Sequence, residues 1–433
     1  MTTPLFRVRD RRGRVLAAGM LALSLAACGS GGASGDGGPT TITFSYLWSG
    51  PEAQALEKII AEFNASQRKI VVKGVSSPDT QKQLASMASA GGAFDISDNF
   101  GSNVGAWAAK GVLEPLDEYM SKDGFDTADI VPAALKQMTY EGKTYSLPVA
   151  THSFQLLYNK KLLAEAGLKE PPKTTEGWAA AIAKLTKVDG DGNLVQLGLG
   201  NPESNSTFTT MGYQFGGDWY DTAGRPTPAA PGNLAALRFY TDNVTGKYGV
   251  DKVRKFTSGF GEYASPQNPF YIGKVAMVVD GEWQARFIGD NAPKLDWDVA
   301  PLPHPAGRPE LAGTTQLTAS TLFIPRNSKR KAQAWEFMKF LMGKKAMAEF
   351  TFALANLPSR LSLLDDAKYD GIPRFDPWLK ALKSPNVKVL ASMPYSQEYT
   401  TDLTAGFDQV TRAATAPDQA MRSVAEKAAG YAK

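Results

Sequence analysis

Cysteine is nearly absent: the 433-residue chain has one, Cys28, and only two histidines. A single cysteine cannot close an internal disulfide, so no covalent framework staples the fold. A zinc-type centre needs three or four cysteine or histidine ligands, and that supply is too thin here. Long apolar runs are missing as well. The apolar stretch at residues 15–27 has 13 residues, where a helix crossing about 30 Å of hydrocarbon needs roughly 20. A surplus of one charge is missing too. Lysine and arginine number 47 against 43 acidic residues, a formal +4. Arg7, Arg9, Arg11, Arg12 and Arg14, set against Asp10, carry that whole excess within the first 27 residues. The remainder is near neutral, which removes the basic footprint of a nucleic-acid binder. Hydrolase signatures are lacking: there is no Gly-x-Ser-x-Gly elbow and no His-Glu-x-x-His helix. No motif pairs two carboxylates as a glycosidase would need, so the chain is not expected to be an enzyme.

What is present begins at the N-terminus. Five arginines precede the short apolar stretch, which ends Leu25-Ala26-Ala27-Cys28. This is the build of a secretion signal, and its end resembles the lipobox of bacterial lipoproteins. That resemblance implies cleavage before Cys28, lipidation of its thiol and anchoring at the outer face of the cytoplasmic membrane. Arg11-Arg12 leaves both the general and the twin-arginine export routes open. Residues 29–40, GSGGASGDGGPT, contain no large side chain. A coil of this composition reaches on the order of 20 Å, enough to hold a folded body off a surface. Roughly 400 residues follow the signal, which suggests two domains, and 43% hydrophobic with 21% charged residues suits a globular body.

Strand and helix signals alternate along that body, an α/β pattern. Residues 41–48 alternate polar and apolar and predict a strand that runs into Ser49-Gly50-Pro51-Glu52. Ser49 with Glu52 reads as a capping box, and Leu56, Ile59, Ile60 and Phe63 mark one helical face. Short strands are predicted at 70–72, 94–96, 147–150, 154–158, 275–279 and 322–324. A helix opens at Leu162-Leu163 and stops at Gly167. Further helices carry Trp178, Ala181, Ile182 and Leu185, then Ala334, Phe337, Met338 and Leu341. Asp189-Gly190-Asp191-Gly192-Asn193 opens like a calcium loop but has Leu194 and Gly200 where that loop needs glycine and glutamate. It reads as a polar turn.

Four segments together resemble the family 1 extracellular solute-binding proteins, the maltose-binding-protein-like receptors of bacterial ABC importers. They are FDISDNFGSNVGAWAAKGVLEPLDEYM (94–120), LPVATHSFQLLYNKKLLAEAGLKEPPKT (147–174), IGKVAMVVDGEW (272–283) and LFIPRNSKRKAQAWEFMKFLM (322–342). The resemblance implies a two-lobed periplasmic-binding-protein-like fold of type II, its lobes joined by crossing strands. The first lobe would take residues 41–150 and 299–343, the second 151–298 and 344–433. A sugar would sit between the lobes and be delivered, on hinge closure, to membrane permease subunits by a monomer that needs no cofactor.

The same resemblance places the ligand contacts. Trp48 and Glu52 flank the first strand–helix turn, and Asn99, Ser102 and Asn103 follow a strand end. His152 stands after the first crossing strand, where the family often has a carboxylate. Glu282 and Trp283 lie in the Gly-x-Trp loop, and Trp283 would supply an apolar wall for a pyranose face. Phe208, Tyr213 and Trp219 add aromatic candidates in the second lobe. Thr315 and Gln316 precede a late strand, and Tyr395 and Tyr399 follow far downstream. A polyamine, peptide or phosphate-ester ligand is the alternative within binding proteins, and a secreted glycosidase the alternative outside them.

Overall fold

A computed structural model describes residues 38–202 and 204–431. The signal segment, Cys28 and the tether before residue 38 lie outside the described residues. The body begins with strand β1 (Thr40–Tyr46), helix α1 (Gly50–Ser66) and strand β2 (Ile70–Ser76). β1 and β2 pair in parallel, Thr40 opposite Ile70, as a strand–helix–strand crossover requires. α1 buries Leu56, Ile59, Ile60 and Phe63, the stripe read from the sequence. Ser49 stands at its N-cap in extended backbone, but its side chain makes no capping hydrogen bond. The expected capping box with Glu52 is therefore not made, and Pro51 stands in the first turn.

Helix α2 (Thr80–Ala88) is capped by Asp79, whose carboxylate accepts from the N–H groups of Gln81 and Lys82. β3 (Ile96–Phe100) then pairs with β1 in parallel. It starts two residues later than the predicted strand; the Asp95 side chain before it accepts from the Thr43 N–H of β1 at 3.0 Å and from Ser328 Oγ at 2.7 Å. α3 (Val104–Ala109) leads on to β4 (Ser146–Asn159), a single 14-residue strand where two were predicted. His152 does not break it, because its ring nitrogens find partners in Glu282 and Ser320, and Ser153 keeps its place in the ladder opposite Leu317.

The next stretch supplies α4 (Thr175–Leu185), α5 (Asn205–Gln214), α6 (Pro231–Tyr240), β5 (Met277–Gly281), α7 (Gln284–Asn291) and β6 (Trp297–Ala300). Between Lys187–Val188 and Leu194–Gln196, Asp189 accepts from the N–H groups of Asp191 at 3.0 Å and Asn193 at 2.8 Å. The DGDGN motif is thus a polar turn closed on itself. β7 (Thr315–Phe323) follows, nine residues long and begun well before the predicted Leu322, so Thr315 and Gln316 lie within it. α8 (Lys331–Leu341), α9 (Lys344–Leu354), β8 (Leu357–Pro358), β9 (Val387–Val389), α10 (Ser396–Thr411) and α11 (Pro417–Ala428) complete the chain.

Among the described residues these nine strands form one sheet, whose main path runs β6-β4-β7-β3-β1-β2. β4 threads both halves. Its first part pairs with β7, with Thr318 opposite His152, and its second part pairs with β5 and β6. Helices pack on each half separately, which gives a two-lobed α/β fold. In the first half Phe337 of α8 meets Phe44 edge-on at 5.4 Å and Phe63 at 5.0 Å, each buried ring contributing about 1.5–3 kcal/mol. α9 also packs there: Phe350 meets Trp48 at 4.9 Å, and β8 pairs with β4 at Ala150 and Thr151. Residues 344–354, expected in the second lobe, therefore lie on the first. α10 and α11 pack against α5 and α6, with Phe407 at 5.0 Å from Phe208 and Asp418 paired to Arg238.

Candidate functional site

Between the two halves of the sheet lies a cleft of about 700 Å3. Strand parity decides what faces it, because successive side chains of a strand point to opposite faces. β3 presents Asp98 and Phe100, β4 presents His152 and Phe154, and β7 presents Gln316, Thr318 and Ser320. Most residues of opposite parity are turned into the frame, Ala319 excepted. Asn99 donates to Gln83, and its Oδ1 accepts from Asn103 Nδ2 at 2.6 Å. Thr315 Oγ1 donates to the Phe154 carbonyl at 2.8 Å and accepts from the Phe154 N–H at 3.1 Å. Asn99, Asn103 and Thr315 brace the walls and do not face the cleft. Trp48, Glu52 and Ser102 do line it.

The second-lobe aromatics separate into two groups. Tyr213 and Trp219 are fully buried: the Tyr213 hydroxyl lies 3.3 Å from the Val389 carbonyl, and Trp219 Nε1 donates to the Thr209 carbonyl at 2.9 Å. With Phe208 they fill the core beneath the cleft, so these expected ligand contacts are packing residues. Tyr395 and Tyr399 likewise donate to backbone carbonyls, of Gly224 and Trp219. Trp283 differs. Its ring stands edge-on to His152 at 5.6 Å and Phe154 at 5.7 Å, and it lines the cleft half-buried. Its Nε1 donates to the Tyr263 hydroxyl at 2.6 Å. That hydroxyl donates in turn to Asp280 at 2.7 Å and accepts from Gln284 at 2.9 Å. Burial and the Asp280 charge push the Tyr263 pKa upward, which keeps it a donor. A Cβ on Gly281 would stand 2.2 Å from the Trp283 ring, so glycine there is what lets the ring lie flat.

Glu282 does not line the cleft. It is fully buried, with Oε1 at 2.7 Å from His152 Nδ1 and Oε2 accepting from the Ser153 N–H at 3.2 Å. His152 Nε2 lies 3.0 Å from Ser320 Oγ. Both ring nitrogens are thus held by the protein, and neither is free for the direct polar contact expected of His152.

The charges of the cleft are one-sided: among the described residues it is lined by Glu52, Asp98 and Asp280 and by no lysine or arginine. Burial pushes the Asp98 pKa up to about 8, and the neighbouring Glu52 adds to this. The Leu47 N–H, donating to Asp98 at 2.7 Å, opposes it. Burial raises Glu52 as well, offset in part by His152. Gln316 is almost wholly buried; its Oε1 accepts from Thr209, and its Nε2 has no partner. Asp98, Phe100, Phe154, Tyr263, Asp280 and Phe287 were not expected at this site. Phe100 had a legible signal, being an apolar residue two positions beyond Asp98 on the same strand face, and it is left 54% exposed.

Comparison with known proteins identifies the family and supports the fold. A family profile for bacterial extracellular solute-binding protein matches residues 48–348. A binding protein of Brucella abortus strain 2308 is 30% identical over 242 residues, covering 56% of this chain and 56% of that protein. The chain thus spans little more than half the length of that curated relative. The mannitol-binding protein of Pseudomonas aeruginosa is 26% identical over 395 residues, 88% of this chain and 86% of that one. The structure of CpMnBP1 with mannotriose bound aligns at a TM-score of 0.81 and 26% identity, over 90% of this chain and 100% of that chain. The chain belongs to the bacterial extracellular solute-binding proteins.

Proposed function

We propose that this protein captures a neutral sugar, a mono- or oligosaccharide, in the interlobe cleft and hands it to the membrane permease of an ABC importer. The observation that carries this reading is the half-buried Trp283 wall facing a rim of hydroxyl, amide and carboxyl groups. A pyranose has an apolar C–H face and a polar hydroxyl edge, and this pairing of surfaces matches both. The absence of a cationic side chain from the described cleft lining weighs against a phosphate ester. Its three carboxyl groups favour a polyamine, but Asp98 is held largely neutral at pH 7 and Asp280 is engaged by Tyr263. The mannitol-binding relative and the mannotriose-bound neighbour support the sugar.

In this reading β4, together with the segments entering β7 and leaving β8, is the hinge, and the second lobe resumes after β8 and not at residue 344. Ligand contacts from both lobes exist only when the cleft is closed, so binding shifts the population toward closure. The protein acts as a monomer, performs no chemistry on its ligand and uses no cofactor. Titration calorimetry against mannotriose, mannitol and maltotriose, with spermidine and a short peptide as controls, tests the reading. Binding of spermidine alone would replace it with the polyamine alternative.

Two consequences follow for single residues. Gly281→Ala forces the Trp283 ring out of its place, because contacts under 3 Å cannot be accommodated by a ring without movement. We expect at least a several-fold rise in sugar Kd with a change in Tm of only a few degrees, read by calorimetry and thermal unfolding. At the other end of the chain, Cys28 carries the lipid anchor. Cys28→Ala should leave a folded, sugar-binding protein that takes up no palmitate analogue and is released from the membrane; label on the variant would end the lipoprotein reading.

A further inference from the structure

His152 sits where the two lobes meet, and its hydrogen bonds reach both. Ser320 belongs to β7 in the first half of the sheet, whereas Glu282 follows β5 in the second. As a carboxylate Glu282 only accepts, and Nδ1 of His152 then carries a hydrogen in either charge state of the ring. The state of Nε2 is then the single variable. In neutral His152, Nε2 is a lone pair and accepts the Ser320 O–H at the observed 3.0 Å. Ser320 can then offer the cleft only oxygen lone pairs. In the imidazolium, Nε2–H donates to Ser320 Oγ, and the hydroxyl hydrogen is freed to point into the cleft that Ser320 lines. We propose that Glu282 is a positioning residue and that protonation of His152 switches Ser320 from an acceptor to a donor toward the ligand, coupling solute affinity to the pH outside the cell.

The favoured direction comes from burial. Glu282 is fully buried and has, besides His152, only the Ser153 N–H as a partner. A buried carboxylate without a countercharge is costly, and the imidazolium supplies one. Histidine is the side chain whose charge changes between about pH 5 and 8. The other groups facing this chain are Glu52 on α1, Asp98 on β3, and Asp280 with Tyr263 beside Trp283. Their own titrations add to any pH dependence, so the switch is the part that disappears when Ser320 loses its hydroxyl.

The inference rests on the sugar-capture reading, and mannotriose is the probe. One hydrogen bond gained or lost corresponds to roughly a three- to tenfold change in Kd. We expect mannotriose to bind the native protein that much more tightly at pH 5.5 than at pH 8.5. Ser320→Ala should remove that portion of the slope and Ser320→Thr should restore it. Glu282→Gln, which keeps an acceptor for Nδ1 but no charge, should hold affinity near its high-pH value throughout. Nitrogen-15 spectra of the imidazoles, with His152→Gln to assign the two histidines, read the switch without ligand. Nε2 of His152 should gain its proton as pH falls. Equal slopes in native protein and Ser320→Ala would overturn the switch. So would an imidazole that keeps one protonation state from pH 5 to 8.5. Failure of mannotriose to bind at any pH counts against the capture reading, and the spectra then decide the switch by themselves.

Discussion

Trp283→Ala should weaken sugar binding by about 30-fold or more while leaving a folded protein. Truncation of a buried aromatic anchor in a binding site commonly costs about 2 kcal/mol or more, and 1.4 kcal/mol is tenfold in Kd. The ring is only half-buried, with its edge against His152 and Phe154 and its Nε1 on Tyr263. Its removal therefore costs less folding stability than the roughly 3–5 kcal/mol of a fully buried aromatic. Tyr263 keeps its bonds to Asp280 and Gln284, so no buried polar group is orphaned. Trp283→Phe retains an aromatic face and loses one hydrogen bond, and should fall between. Calorimetric titration with the best sugar of the screen gives the affinity, and urea unfolding of the ligand-free protein gives the stability. Near-normal affinity with a large loss of stability would make Trp283 a core residue like Trp219.

The contrast between those two tryptophans shows where sequence stops informing. Helical stripes such as Leu56, Ile59, Ile60 and Phe63 declare their buried face through spacing, because a 3.6-residue period is written in the order of apolar side chains. The cleft positions of Glu52, His152 and Trp283 were legible through the family resemblance. Parity was not. Residues 98–100 read DNF, and nothing local says whether Asp98 and Phe100 or Asn99 faces the cleft; a one-residue shift exchanges the two sets. Only the pairing of Asp98 with Leu322 and of Ser320 with Phe100 fixes it. Trp219 was illegible for a different reason. Its ring partner Phe407 is distant in sequence and comes from the C-terminal region whose resemblance had faded. The bracing role of Glu282 has a third cause: a charged residue beside an exposed-looking loop gives no sign that it will be sealed under a histidine 130 residues earlier.

Asp98→Asn should make the protein more stable at alkaline pH and flatten its stability profile. Asp98 is 3% exposed, and burial pushes its pKa from the ordinary 3.8 up to about 8. The folded protein thus holds a proton that the unfolded chain gives up near pH 4. Below that pH the group is neutral in both states and contributes no difference. As pH rises toward 8 the unfolded state is favoured by about 1.4 kcal/mol per unit, so stability drains away across this window. Beyond pH 8 the folded state ionises as well and the loss levels off, after reaching the order of several kcal/mol. Asparagine is close in shape, and its Oδ1 can keep the Leu47 N–H bond seen at 2.7 Å. Urea unfolding at pH 4, 6 and 9 should show native and variant nearly equal at pH 4 and diverging upward, with the variant ahead by several kcal/mol at pH 9. Parallel profiles would mean that Asp98 is ionised throughout. The cleft would then carry at neutral pH the full charge of Glu52 and Asp98 together, an arrangement built for a cationic solute and not for a neutral sugar.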